Sequence, residues 1–236
     1  MIVLRAAIGL AAVLTLFGPA QAGEMGRPAQ SDPALEPIAD VPGLPSVLLI
    51  GDSISIGYTI GVRSRLRGVA NVHRPPENCE DTTKGLAKLD AWLGSEAWAV
   101  IHFNFGLHDL KYLDASRRYV PPDRGTQVTT LARYESNLRA IVARLRRTGA
   151  RLIFATTTPV PAGSAGRVEG DEVRYNDVAV RVMKESGVAI DDLHAIVAAR
   201  RELQQPENVH LTADGYRSLS EAVAASIAAS LAQATR

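Results

Sequence analysis

Short apolar runs alternate along this chain with longer stretches that have the periodicity of amphipathic helices. The clearest helical stretch places Leu131, Tyr134, Leu138 and Ile141 on one face. Strands that alternate with helices of this length predict an α/β fold, in which helices cover both faces of a parallel sheet. The predicted strands are 46–50, 69–73, 98–104, 151–156 and 188–191. The predicted helices are 57–67, 83–93, 131–147, 171–185, 193–202 and 212–234.

Three polar residues lie at or just after the ends of predicted strands. Ser53 follows the first strand, Asn104 ends the third, and Thr157 follows the fourth. Ligands of parallel sheets bind beyond the carboxyl ends of the strands, so we expect these side chains to share one edge.

Residues 1–22 have the three regions of an export signal. Arg5 supplies the positive start, residues 6–17 form an apolar run, and Ala20-Gln21-Ala22 offers small residues for cleavage. The run is too short for a stable membrane span. We therefore predict removal of this signal and a periplasmic or secreted protein, with an uncleaved membrane anchor as the alternative.

The rest of the chain is long enough for one domain with a substantial core. Residues 23–45 are rich in Pro and Gly and predict a linker or a surface arm. Residues 46–236 form the predicted domain. A net charge of +1, from 26 basic and 25 acidic residues, predicts no nucleic-acid partner and no attraction to an anionic membrane.

The chain offers no pattern for a metal or an organic cofactor, and we predict neither. The acidic residues near 169–172 lack the spacing of metal ligands, and residues 51–57 lack a dinucleotide-binding glycine pattern. Cys79 is the only cysteine, so an intramolecular disulfide is impossible. A buried small residue and a reactive thiol are both open interpretations of it.

The segment Gly51-Asp52-Ser53 places a hydroxyl between a strand and a helix. Helix N–H groups and the positive end of the helix dipole stabilise a developing oxyanion at such a place. Gly-Asp-Ser is also ordinary turn and N-cap chemistry, so the tripeptide alone does not establish a nucleophile.

A serine nucleophile needs a base, and His210 is the best placed histidine. It lies in a loop just before Thr212, a candidate N-cap for the last helix. His73 and His102 fall within predicted strands. His194 follows Asp191 in an acid-x-x-His pattern, but its place between a strand and a helix predicts a structural role.

Together, the Gly-Asp-Ser segment and the late histidine resemble the GDSL esterase/lipase family, also called SGNH hydrolases. The resemblance covers the chain from Ser46 onward. It implies a three-layer, flavodoxin-like fold with helices on both faces of a parallel sheet. It also implies that Ser53 is the nucleophile and His210 the base, with the backbone N–H of Ser53 contributing to the oxyanion hole.

The second and third blocks of the family differ here. In Asn78-Cys79-Glu80, Glu80 stands where the family has a glycine that donates its backbone N–H to the oxyanion. In Gly106-Leu107-His108-Asp109, His108 stands where the family has asparagine. Imidazole also carries an N–H donor, and Asn104 is the alternative donor from the same segment.

The last block of the family is Asp-x-x-His, and Glu207 occupies the acidic position here. A glutamate can orient an imidazole and stabilise its cation. The resemblance thus implies Ser53, His210 and Glu207 as the catalytic residues, with Glu207 alternatively an exposed loop carboxylate.

The expected function is hydrolysis of small acyl esters, such as acetyl groups on glycans, through an acyl-enzyme on Ser53. The chain shows no apolar insertion that would form a lid and only 5% aromatic residues, which favours short acyl groups over long-chain lipids. Two alternatives remain open at this point. One is an acyltransferase that uses the same serine, and the other is a non-catalytic glycan-binding or cell-surface protein of the same fold.

Overall fold

A computed structural model describes residues 32–233 of the chain. The predicted signal segment lies outside these residues. Residues 32–45 form turns and irregular structure attached to the domain: Arg63 donates to the carbonyl groups of Pro33 and Glu36, and Asn71 bonds both backbone groups of Val41. Within the described part, no helix has the length and apolarity needed to cross a bilayer.

The main sheet has five parallel strands in the order β2-β1-β3-β6-β7. A separate antiparallel pair, β4–β5, was not predicted; each of its strands has two residues, too few to show a period. The strands are β1 Ser46–Ile50, β2 Asn71–His73, β3 Trp98–Phe103, β4 Tyr112–Leu113, β5 Thr126–Gln127, β6 Arg151–Ala155 and β7 Ala189–Asp191. The predicted parallel α/β sheet is therefore confirmed.

Within residues 32–233, six α-helices connect and cover these strands. They are α1 Ser53–Arg65, α2 Thr82–Leu93, α3 Leu131–Arg146, α4 Glu172–Glu185, α5 Leu193–Ala198 and α6 Ala213–Ala232. The prediction began α1 at residue 57, which is wrong, because Asp52 caps the helix and Ser53 is its first residue. The prediction for α5 was too long, since a separate 3-10 turn occupies Arg201–Leu203.

The strand order places the helices on two faces. The chain moves outward from β1 to β2, then returns across β1 to β3, β6 and β7. Because parallel crossovers are right-handed, this reversal puts α1 on one face and α2, α3 and α4 on the other. Contacts agree, since α1 packs on α6 whereas α2, α3 and α4 pack side by side.

The reversal also predicts where a ligand binds, because neighbouring loops diverge there and leave a crevice at the carboxyl ends of the strands. In this sheet the crevice lies between β1 and β3. Ile50 pairs with Phe103 at the ends of these strands, and Ser53 and His108 lie in the segments that follow them.

Close packing of α1 against α6 depends on glycine. A Cβ atom at Gly61 would lie 2.6 Å from Cβ of Ser220, and one at Gly57 would lie 2.2 Å from the ring of Tyr216. The core between the layers includes the α3 face predicted from periodicity, of which Tyr134, Leu138 and Ile141 are fully buried.

Candidate active site

Ser53 and His210 lie in contact at the carboxyl end of the sheet. Asp52 accepts a hydrogen bond from the N–H of Ile54 at 2.9 Å, and this cap places Ser53 in the first turn of α1. Ser53 Oγ lies 2.9 Å from His210 Nε2. The structure thus brings the predicted nucleophile and base to the distance that proton transfer requires.

Asn208 holds the His210 ring. Its Oδ1 accepts from the backbone N–H of His210 at 3.0 Å and lies 2.8 Å from His210 Nδ1. The backbone bond identifies this atom as the carboxamide oxygen, which can only accept hydrogen bonds. Nδ1 must therefore carry the proton that it shares with this oxygen. The neutral ring is then unprotonated at Nε2, where it accepts from the Ser53 hydroxyl.

Glu207, the residue predicted to orient His210, lines the same cleft without bonding the histidine. Its backbone is left-handed, with φ 54°, and its side chain packs beside Gly163. No hydrogen bond of the described residues joins it to His210. Asn208, and not Glu207, contacts Nδ1.

The second block also differs from expectation. Glu80 adopts the left-handed backbone that its glycine-like position requires, with φ 53°. Its N–H, however, donates to Asn78 Oδ1 at 2.9 Å, and its carboxylate pairs with Lys84 at 2.8 Å. This bond orients the Asn78 carboxamide, which lines the same cleft as Ser53. The Glu80 N–H is therefore already bonded, whereas the Asn78 carboxamide nitrogen has no hydrogen-bond partner among the described residues.

His108 lines the cleft from the segment after β3. Its Nδ1 lies 2.9 Å from Lys111 Nζ, and no described residue bonds its Nε2. Burial, followed by the positive charges of Lys111 and Arg167, lowers the pKa of His108 to about 3. The ring is thus neutral near neutral pH and holds a single N–H donor.

Asn104 cannot serve as the alternative oxyanion donor in this structure. Its Nδ2 donates to the carbonyl of Ala155 at 2.7 Å and to Thr157 Oγ1 at 3.3 Å. Both amide protons are thereby used between β3 and β6. Asn104 holds these two segments together, whereas His108 lines the cleft.

The cleft in front of Ser53 has a volume of about 390 Å³. Arg167 forms part of its wall, although no sequence pattern indicated this residue. Its Nε donates to the carbonyl of Leu107 at 3.0 Å, and its guanidinium lies 5.5 Å from the ring centroid of Tyr119. The cleft is therefore polar on this side and carries a positive charge.

The remaining histidines have other partners. His194 Nε2 lies 3.2 Å from Glu172, His102 Nε2 lies 3.1 Å from Asp191, and His73 pairs with Asp40. In the described part of the chain, none of the three bonds a serine hydroxyl.

Cys79 is fully buried, and burial raises the pKa of its thiol to about 12. The thiolate, which is the reactive form, is therefore scarce near neutral pH. Of the two interpretations of this cysteine, the structure supports the buried residue. Residues 32–233 contain no group of three or more His, Cys, Asp or Glu side chains placed to hold a metal ion.

Residues 49–218 match the family model described as the GDSL-like lipase/acylhydrolase family. The chain belongs to this family. No curated protein matches the chain. The matched range contains every residue of the site described above, from Asp52 to His210.

Solved structures of GDSL-like hydrolases share the fold. A lipase/acylhydrolase from Enterococcus faecalis has 19% identity and a TM-score of 0.64, covering 79% of this chain and 96% of its own. The acetyl xylan esterase AlAXEase has 16% identity and a TM-score of 0.60, covering 77% and 99%. Axe2, an acetylxylan esterase from Geobacillus stearothermophilus, has 17% identity and a TM-score of 0.61, covering 76% of this chain and 92% of its own.

Among the departures from the GDSL-like blocks, the one at Asn208 is directly testable. We expect Asn208→Ala to lower kcat for ester hydrolysis about tenfold to a hundredfold, because one orienting hydrogen bond is worth about 1.4 to 2.7 kcal/mol in the transition state. Asn208→Asp keeps the acceptor and should retain activity. Glu207→Ala is the matched neighbour and should change kcat less than Asn208→Ala; the reverse order would return the orienting role to Glu207.

Proposed function

We propose that this protein is an exported serine esterase that releases small acyl groups, with acetyl groups on glycans as the favoured substrates. The observation that carries the proposal is the 2.9 Å contact between Ser53 Oγ and His210 Nε2 in a cleft at the carboxyl end of the sheet. A glycan-binding protein of the same fold does not need a serine paired with a correctly protonated imidazole. This pairing therefore favours an enzyme over the non-catalytic alternative.

In the first half of the reaction, His210 Nε2 takes the Ser53 proton while Oγ attacks the carbonyl carbon of the ester. The carbonyl oxygen becomes an oxyanion. The protonated ring then gives its proton to the leaving alcohol as the bond between carbonyl carbon and alkoxy oxygen breaks. The acyl group remains on Ser53.

In the second half, His210 takes a proton from water, and the resulting hydroxide attacks the acyl-enzyme. The tetrahedral intermediate collapses, Ser53 recovers its proton from the ring, and the carboxylic acid leaves. Asn208 accepts from Nδ1–H throughout. As a neutral acceptor it fixes the ring and its tautomer, although it stabilises the imidazolium less than a carboxylate does.

Three donors are available to an oxyanion that forms in the cleft beside Ser53. The N–H of Ser53 is the first amide of α1 and bonds no described residue. The carboxamide of Asn78 and the Nε2–H of His108 line the same cleft. The N-terminus of α1 adds its partial positive charge. Donors positioned in advance lower the barrier because they need no reorganisation as charge develops.

The cleft favours a short acyl chain on a polar alcohol. It is small, about 390 Å³, and its wall mixes Arg167, Asn78 and His108 with the apolar Leu107 and Val209, whereas a long acyl chain needs an extended apolar surface. Two of the similar folds belong to acetylxylan esterases, which gives acetylated glycans priority as test substrates.

The proposal is tested with purified residues 23–236. A fluorophosphonate probe should label the wild-type protein and leave Ser53→Ala unlabelled. Rates should fall steeply from acetyl to octanoyl esters of one alcohol, and acetate should be released from acetylated xylan. Absence of labelling would reject the serine mechanism. Acyl transfer to added sugars in preference to water would establish a transferase instead.

Export is a separate prediction. We expect the exported protein to begin at Gly23, because the charged start, the apolar run and the Ala-x-Ala site occur in the order that signal peptidase recognises. Intact-mass analysis of the exported protein measures the N-terminus directly. Recovery of the full chain with Met1 in the membrane fraction would support an anchor.

A further inference from the structure

A buried lysine lies behind the oxyanion donor that this chain uses in place of asparagine. Lys111 is 5% exposed, and its Nζ lies 2.9 Å from His108 Nδ1. Among the described residues no carboxylate pairs with it; its other contact is the ring of Tyr119, 5.4 Å from Nζ. A buried ammonium without a carboxylate is costly for folding, so its position points to another role.

The chemistry of the contact determines which nitrogen of His108 carries the proton. An ammonium nitrogen has no lone pair and can only donate a hydrogen bond. Lys111 therefore requires His108 Nδ1 to accept. A neutral imidazole has one proton, which must then be on Nε2, the nitrogen that no described residue bonds.

Asparagine needs no such help, because its carboxamide nitrogen always carries two protons. A histidine in the same place can donate from Nε2 in only one of its two neutral tautomers. With the proton on Nδ1, Nε2 would present a lone pair to the oxyanion and repel it. The exchange of asparagine for histidine therefore creates a requirement that Lys111 meets.

Local structure holds the two side chains together. Residues 107–110 form a turn in which the N–H groups of Asp109 and Leu110 both donate to the carbonyl of Gly106. Directly after this turn, the carbonyl of Lys111 accepts a hydrogen bond from the backbone N–H of Val128. His108 and Lys111, three residues apart, are thus fixed on one rigid segment.

We propose that Lys111 is a positioning residue that donates to His108 Nδ1, holds the imidazole in the Nε2–H tautomer, and so completes the oxyanion hole beside Ser53. The effect on rate rests on the proposed esterase function. The tautomer itself does not, and it can be measured without any substrate.

The first experiment is a long-range 1H–15N spectrum of the wild-type protein with labelled histidine, assigned by comparison with His108→Asn. His108 should show a protonated Nε2 and an unprotonated Nδ1. In Lys111→Met, which keeps the length of the side chain but removes the donor, the signals should move toward a mixture of both tautomers. A protonated Nδ1 in the wild type would overturn the proposal, whatever the activity.

The second experiment is a double-mutant cycle on kcat for a short-chain aryl ester. Lys111→Met should lower kcat about tenfold to a hundredfold, less than loss of the whole donor, because part of the population keeps Nε2–H. KM should change less. In a His108→Asn background the same change should cost less than about threefold, since an amide has no tautomer to fix.

Equal losses of kcat in both backgrounds would show that Lys111 acts by charge or by structure, and would overturn the proposal. Lys111→Gln adds a second variant that retains an N–H donor, and its kcat should exceed that of Lys111→Met. If Lys111→Met does not fold, the wild-type spectrum and Lys111→Gln still decide the tautomer. Fluorophosphonate labelling of Ser53 tests the esterase function separately.

Discussion

Replacement of Ser53 or of His210 by alanine is expected to lower kcat for short-chain ester hydrolysis about ten-thousand-fold to a million-fold. The two side chains form one unit through the 2.9 Å contact, and loss of either member removes the activated nucleophile. The double variant should therefore be scarcely slower than either single variant. Stopped assays on purified proteins measure the loss, with circular dichroism as the check on folding.

His194→Ala is the matched control for the histidine. It removes an imidazole that pairs with Glu172 rather than with Ser53, so near-native kcat is expected. Comparable losses for His194→Ala and His210→Ala would mean that the base has been misassigned. A near-native rate for Ser53→Ala would reject the nucleophile, and with it the proposed function.

The second large effect is expected at His108. His108→Ala should lower kcat about a hundredfold to a thousandfold, as expected for loss of one oxyanion donor, with a smaller change in KM. His108→Asn should retain much of the activity, because an amide N–H replaces the ring N–H. The two variants distinguish loss of the hydrogen-bond donor from loss of side-chain volume, because both remove the ring and only asparagine restores a donor.

Asn104→Ala supplies the comparison from the neighbouring position. The amide protons of Asn104 bond Ala155 at the end of β6 and Thr157 beyond it, so this change should lower the thermal unfolding midpoint more than it lowers kcat per folded molecule. A large loss of kcat at Asn104, with His108→Ala near native, would move the donor to Asn104. Near-native kcat for both alanine variants would place the oxyanion hole elsewhere.

Local sequence patterns were sufficient to predict the architecture. Period and length identified all five strands of the main sheet, most clearly the three central ones, because buried parallel strands are short and largely apolar runs. They misplaced the start of α1, where Ser53 and Ser55 interrupt the apolar period although Asp52 caps the helix. They missed β4 and β5, whose pairing depends on a partner more than ten residues away.

Ser53 and His210 were predicted from motif order and from their places beside a strand and a helix, and the fold brings them together. The supporting residues depended on tertiary structure. Glu80 and Glu207 adopt left-handed backbone; the Glu80 N–H donates to Asn78, and Asn208 rather than Glu207 contacts His210. Such dihedrals are uncommon for glutamate, so no local propensity predicts them.

The parallel α/β fold followed from local sequence patterns, which also predicted the serine and histidine that meet at the carboxyl edge of the sheet. The partners of these two residues became visible only in the folded chain. Helices and strands follow from the periodic spacing of buried residues, and this spacing is visible in the local sequence. The direction of one N–H or carbonyl group depends on loop dihedrals and on contacts with distant residues, such as Asn104 with Ala155. These contacts exist only once the chain has folded.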